Sequence, residues 1–225
     1  MADLVRAVHG TWPGYASQWF ADGHSQGAHA VLNTAARDNS GSLLGAVATS
    51  IPPQIDALIG VGGPSTPSPG TLTGLYAMAF RGFARAHPEL VVQRHLSRTG
   101  RRIVRAVADL CSPEVQRLTE CMSIGDLLQT ALTESEVRAF GSYFRVPVAG
   151  YRVPLLIGHG LRDATLPYPT VLPLVGQIVA GGADTRFRTY AGDHDGILEE
   201  SVPDRMRLFA GPARTRWSGV GPNTR

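Results

Sequence analysis

Ser25 sits in Gly23-His24-Ser25-Gln26-Gly27, preceded by Gln18-Trp19-Phe20-Ala21-Asp22 and followed by Ala28-His29-Ala30-Val31-Leu32. The first flank has the pattern of a strand and the second that of a helix. A serine at such a strand-to-helix turn is held strained with its hydroxyl exposed, which suits it to nucleophilic attack. The two glycines are expected to leave room where the backbone doubles back, since a Cβ at either would collide with the turn or the neighbouring strand. The helix behind the serine aims its backbone N–H groups and positive end at charge developing on a substrate oxygen. The Gln26 N–H is the first expected oxyanion donor. In a chain with 26 glycines a bare Gly-x-Ser-x-Gly carries little weight, so its context must supply the rest.

Two further residues complete a nucleophilic constellation. Val153-Pro154-Leu155-Leu156-Ile157-Gly158 is a buried-strand pattern, and the turn after it, through His159-Gly160-Leu161-Arg162, presents Asp163. The alternating strand Thr185 to Tyr190 runs into Ala191-Gly192-Asp193-His194-Asp195-Gly196, which presents His194. A neutral imidazole takes the serine proton as attack begins, and a carboxylate on its far side fixes the tautomer and steadies the imidazolium. An acid and a base, each in a glycine-containing turn after a strand and in the order Ser25, Asp163, His194, are far more specific together than any one motif.

Each role has competitors. His159 ends the strand that carries Asp163, so a structural or pocket-lining place is expected for it. His24 and His29 flank the nucleophile and are expected to support it rather than react. Asp193 and Asp195 neighbour the base and are expected to point outward.

The elements that must position these residues follow in order. Leu4, Val5, Ala7 and Val8 predict a short amphipathic helix over 2–11, ended by Trp12-Pro13-Gly14. The elbow strand is expected over about 17–22, and its helix from Gly27 to about Arg37. Asp38-Asn39-Ser40-Gly41 stops that helix with residues that tolerate left-handed backbone. The continuous apolar run from Leu43 to Ser50 predicts a strand covered on both faces, stopped by Pro52-Pro53. Strand, helix and strand in about 35 residues make a βαβ unit and a parallel sheet.

After a Gly/Pro/Ser-rich loop from Gly62 to Gly70 the pattern turns helical as far as Tyr143, with runs at 75–80, 103–110, 113–118 and 124–132. Such an insertion is expected to cap the carboxyl ends of the strands, where α/β sheets bind ligands. A helix over about 168–180, stopped by Gly181-Gly182, and the strand at 185–190 make a second βαβ unit. A last helix over 203–210 precedes a flexible tail. The expected organisation is an elbow half over 1–63, a helical cap over 64–148, a part carrying acid and base over 149–210, and the tail over 211–225.

Composition bounds the function. The net charge of +3 is carried by arginine, since the 225 residues include no lysine, and no basic patch interleaves with aromatics as single-strand binders require. A nucleic-acid partner is therefore not expected. Arg94, Arg98, Arg101, Arg102 and Arg105 fall at helical spacing and predict a solvated positive face. No apolar run approaches the ~18 residues of a membrane span, and the first residues lack the pattern of a signal peptide. Cys111 and Cys121 have no His or Cys close enough in sequence for a zinc site, and whether they pair depends on the compartment.

With these residues in hand, the sequence resembles the secretory lipase family, α/β-hydrolases that include fungal lipase A-type enzymes and bacterial relatives. The matching segments are Trp19 to Gly27, Val153 to Gly158 with Gly160-Leu161-Arg162-Asp163 and Pro167, and Tyr190 to His194. The likeness extends over roughly residues 5–210. It implies the C-terminal part of an α/β-hydrolase fold, a mostly parallel sheet with helices on both faces and an inserted helical cap. It also implies hydrolysis of lipid esters such as acylglycerols through an acyl-enzyme, with no metal or organic cofactor, contact with a lipid interface, and Ser25, Asp163 and His194 as the triad. Members of that family are usually exported.

The chain departs from the family pattern in having few residues before the elbow. The family's second oxyanion donor comes from a loop upstream of it. The expectation that follows is a weak or inactive remnant whose exposed elbow strand invites self-association. A serine peptidase on the same fold is the third reading.

Overall fold

The structure, a computed structural model, describes residues 1–14, 17–52 and 63–211. The outer residues of the expected tail, 212–225, and the stretch from Pro53 to Gly62 lie outside the described residues. The chain divides into two compact units, Met1–Gln54 with Val146–Arg225, and Ile55–Arg145.

The first unit is a four-stranded, all-parallel sheet in the order β1-β2-β3-β4. Its strands are β1 (Trp19–His24), β2 (Leu43–Thr49), β3 (Leu155–Gly160) and β4 (Thr185–Tyr190). Helix α1 (Ala2–Thr11) precedes them and buries no residue. Helix α2 (Gln26–Arg37) follows β1 and buries Ala28, Val31, Leu32 and Ala35, the spacing of one helical face.

That face packs on Ala21, Leu43, Ala46, Ala48, Leu155 and Ile157 of the sheet, as do Leu174, Val175 and Ile178 of the later helix Leu172–Ala180. On the opposite sheet face, Val47 and Leu156 pack with Leu208 and with the partly buried Phe20 and Phe209. Both faces are thus covered by helices, which explains the unbroken apolar run in β2. The helix Val202–Ala210 is also tied to the sheet by polar groups: the Tyr190 hydroxyl donates to Asp204 at 2.9 Å and Arg205 to Asp22 at 3.0 Å.

Several expected boundaries shift. Strand β1 continues to His24, two residues past the expected end, because both its last residues still pair with β2, Gly23 with Ala48 and His24 with Thr49. Helix α2 ends at Asp38 in an extended conformation, and the left-handed residue of that turn is Gly41, at φ 73°. On its other edge β1 has no partner strand among the described residues.

The second unit is helical. It contains α3 (Gly70–Ala86), α4 (Arg98–Ala106), α5 (Ser112–Thr119), the single turn α6 (Ile124–Leu127) and α7 (Glu134–Ser142). The helix expected over 124–132 is confined to that single turn. Leu128 is extended and pairs with Leu96 instead, so the apolar residues that suggested a helix serve a two-residue bridge.

Phe80, Phe83, Tyr76 and Phe140 form the aromatic centre of this unit, with Phe83 and Phe140 stacked at 4.7 Å. Beside it a buried Glu136 accepts from Arg94 at 2.8 Å and from the Thr133 amide at 2.8 Å, and lies 3.0 Å from His95. Burial pushes the Glu136 carboxyl up, but the Thr133 hydroxyl and amide and the facing His95 outweigh it and hold the group below the usual carboxylate range. Arg94 lies in the short turn Val92–His95 before α4 and pairs with Glu136, yet it is exposed, as are Arg98, Arg101, Arg102 and Arg105. Cys111 and Cys121 are exposed free thiols.

Ile157, fully buried in the inner strand β3, tests the packing of the first unit. Ile157→Ala is expected to destabilise it by about 2–5 kcal/mol in urea unfolding, the range for a buried Ile truncated in a packed core. A loss under about 1 kcal/mol would contradict a packed sheet face.

Candidate active site

The turns after β1, β3 and β4 lie at the carboxyl ends of parallel strands, where an α/β sheet gathers its reactive groups. Ser25 stands directly between β1 and α2 with φ 54° and ψ −119°, a backbone conformation costing on the order of 1–3 kcal/mol for a residue with a side chain. Its amide donates to the Thr49 carbonyl at 2.9 Å, fastening the turn to β2. A serine at a helix N-cap ordinarily accepts a bond from the first turn. Here it makes no such cap bond, and its hydroxyl lies 3.1 Å from His194 Nε2.

The two elbow glycines have different tasks. A Cβ on Gly23 would lie 2.3 Å from the Gly27 carbonyl oxygen and 2.7 Å from a Val31 methyl, so no side chain fits there. A Cβ on Gly27 would meet nothing within 4 Å. The expectation that Gly27 also relieves a collision is thus wrong: it is the Gly27 backbone that crowds Gly23. Gln26 begins α2, whose first amides have no intrahelical acceptor.

His194 is held on its other side. Its Nδ1 lies 2.8 Å from Asp163 Oδ2, while Asp163 Oδ1 accepts from the amides of Leu166 at 2.8 Å and Thr165 at 3.0 Å. Burial alone would push this carboxyl up. The bond with His194, the Leu166 amide and the nearby His194 and His159 rings outweigh it, so Asp163 sits below the usual carboxylate range and stays ionised. The structure thus brings Ser25, His194 and Asp163 into one hydrogen-bonded series, with the imidazole's free lone pair facing the hydroxyl.

Supporting residues complete the site. His159 is fully buried, and its Nε2 donates to the Leu166 carbonyl at 2.8 Å, bracing the turn that carries Asp163. Burial lowers its pKa, partly offset by that bond and by Asp163. His24 lies beside the base, ring centroids 4.8 Å apart, with Nδ1 3.1 Å from the Thr49 hydroxyl. His29 bonds within its own helix to Asn33. Asp193 caps the next turn by accepting from the Gly196 amide at 2.8 Å, and Asp195 is exposed.

Three contributors carried no sequence signal. Thr49 reaches His24 only through the register of β1 with β2. Glu200 accepts from the Gly192 amide at 3.0 Å and so holds the turn of the base. Gly160 lets the acid and base turns touch: a Cβ there would lie 2.5 Å from the Gly192 carbonyl oxygen and 2.8 Å from that of Asp193.

Two substitutions probe these supports. His159→Ala is expected to cost about 2–4 kcal/mol, from the cavity and the Leu166 carbonyl left unpaired. Because the folded pKa of His159 is lowered, the unfolded chain protonates first as pH falls. Stability is then lost from about pH 6.5 downward through the folded value. The variant should lose less across that interval than the parent chain, and an unchanged slope would contradict a buried neutral His159. Gly160→Val should separate the two turns and lower the rate by at least about 10²-fold, since misplacement by ~1 Å suffices for that. A variant at the parent rate would show that the turns need not touch.

No known protein family matches the sequence, and no curated protein matches it. Solved structures do match. The chain is similar to lipase A of Candida antarctica, with a TM-score of 0.72 and 22% identity over 99% of this chain and 56% of that one. Against that lipase in its closed state the values are 0.67 and 19%, over 91% and 52% of the two chains. The rice cell wall degrading esterase LipA of Xanthomonas oryzae gives 0.63 and 13%, over 89% and 58%. The chain therefore spans about half the length of the structures it matches. At these identities the likeness speaks for the fold, and with the parallel sheet and its helices it identifies an α/β-hydrolase fold of the kind found in these lipase and esterase structures.

Proposed function

We propose that the chain is a serine hydrolase of carboxylic esters, acting on acylglycerols or other lipid esters through an acyl-enzyme. The observation that carries this reading is the hydrogen-bonded series Ser25, His194, Asp163 at three strand ends. The ester, rather than amide, specificity rests on the sequence resemblance and on the lipase and esterase titles of the matching structures.

In this reading the Ser25 oxygen attacks the ester carbonyl carbon while its proton passes to His194 Nε2. The carbonyl oxygen becomes an oxyanion facing the Gln26 N–H and the positive end of α2. Collapse of the tetrahedral intermediate expels the alcohol, which takes the proton from His194 and leaves Ser25 acylated. Water then gives its proton to His194 and attacks the acyl carbon. The acid departs as Ser25 recovers its proton. Asp163, held ionised by His194, the Leu166 amide and His159, steadies the imidazolium in both halves. In the same proposal the helical unit, interposed between β2 and β3, sets acyl-chain preference.

A fluorophosphonate probe should label Ser25, and Ser25→Ala should remove both labelling and hydrolysis of a short activated ester. His194→Ala should lose about as much as Ser25→Ala, and Asp163→Asn about 10⁴-fold in turnover. Labelling at another residue, with hydrolysis intact in Ser25→Ala, would overturn the assignment. Replacing residues 64–148 by a short linker should change chain-length selectivity while the short ester is still cleaved. Unchanged selectivity would remove the helical unit from the proposal.

A further inference from the structure

The histidine inside the elbow has a task that ester hydrolysis does not require. His24 Nδ1 lies 3.1 Å from the Thr49 hydroxyl oxygen, and that hydroxyl donates its own proton to the Gly23 carbonyl at 3.4 Å. With Thr49 bonded in this way to Gly23, it accepts from the ring, and the Nδ1–H tautomer of His24 offers its Nε2 lone pair. This Nε2 is buried, has no hydrogen-bond partner, and faces the Asp195 carboxylate at 3.6 Å. In that tautomer two acceptors face each other with no donor between them. A cation bound between them removes the conflict.

The third ligand is the base itself. His194 commits Nδ1 to Asp163, so the lone pair it can offer is on Nε2, the one facing Ser25. One ligand atom from each of His24, His194 and Asp195 lies within 4.8 Å of the other two. Around a tetrahedral ion with bonds of about 2.0–2.2 Å, ligand atoms sit roughly 3.3 Å apart. The Asp195 side chain, 85% exposed, is free to swing inward and close the set. Two imidazoles and one carboxylate suit zinc and its transition-metal neighbours, whereas calcium and magnesium prefer oxygen ligands throughout. The Thr49 bond is the kind of outer contact that fixes the tautomer of a metal-ligating histidine.

We propose that His24, His194 and Asp195 form an inhibitory site for a divalent transition metal such as zinc. The ion takes the Nε2 lone pair that would accept the Ser25 proton, so the chain with metal bound cannot begin acyl transfer. Coordination uses existing lone pairs and needs no redox step. The inhibitory half rests on the hydrolase reading above, whereas the binding half does not.

The test uses the full chain, with ZnCl₂ followed by calorimetry, CoCl₂ by visible absorption, and hydrolysis of a short activated ester relative to each chain's own metal-free rate. The expected result is one metal per chain, the intense absorption of low-coordinate cobalt, and inhibition that a chelator reverses. His24→Asn and the surface change Asp195→Asn should each weaken zinc binding, and raise the inhibitory zinc concentration, at least tenfold. Ser25→Ala should still bind the metal. If the parent chain hydrolyses no ester, the function reading falls while the titrations still decide the site. Absence of stoichiometric binding, or parent-like binding by both His24→Asn and Asp195→Asn, would overturn the site. Stoichiometric binding without inhibition would overturn the part assigned to His194.

Discussion

The contact between Gly23 and the Gly27 carbonyl is the constraint on which the site depends. With a hydrogen in place of a side chain at Gly23, α2 starts hard against the end of β1, at a separation where a Cβ would stand 2.3 Å from a backbone oxygen. That proximity forces Ser25 into its positive-φ conformation and turns its hydroxyl away from the helix it would otherwise cap. The strain is held by structure on both sides: the Ser25 amide is bonded to β2, and the buried face of α2 is packed on the sheet. Removing either support would let the turn relax toward an ordinary cap.

Polar groups at the site are arranged so that each fixes the state of the next. Backbone amides and His194 hold Asp163 ionised, Asp163 fixes the proton of His194 on Nδ1, and the opposite lone pair is left for Ser25. A second chain runs beside it, from the Gly23 carbonyl through Thr49 to His24. The two chains end on ring nitrogens that look toward the same region, and in the proposed hydrolysis one chain takes part while the other does not. The low polarity of these surroundings strengthens every such bond and makes an unmatched acceptor costly.

Much of this was legible because each element is short and its chemistry local. β4 alternates in sequence, with Arg186 and Arg188 between Thr185, Phe187 and Thr189, although Thr185 is buried and the residues after it are half-buried, and β2 is largely apolar because helices cover both faces of the sheet. The three reactive residues each follow a strand and sit near a glycine, which is a local signal. What escaped was set by contacts between distant segments. The Gly-x-Ser-x-Gly pattern treats its glycines alike, yet only Gly23 is crowded, because the crowding depends on where α2 lies. Thr49 and Gly160 matter through register and through the approach of two turns, neither of which composition or period reports. Leu128 looked helical because its neighbours are apolar, but its partner across the bridge is Leu96. Arg94 is as exposed as the spacing suggested, but its charge is matched by the buried Glu136, 42 positions away, a partner no local pattern reports.

The placement of the helical unit between β2 and β3 has a consequence for how the molecule is made. Ser25 and His194 are 169 positions apart, and β2 finds its partner in β3 only after the whole interposed unit has been synthesised. The helical unit has its own core, all of it from before residue 146, and can condense once that stretch is made, whereas the sheet must wait for its last two strands. Until then β1 and β2 form at most a two-stranded parallel ribbon with both apolar faces bare, a species that invites chaperones. Bringing Ser25, Asp163 and His194 together is in this way tied to completion of the chain, so a product stalled before residue 194 holds Ser25 without the imidazole that faces it in the finished fold.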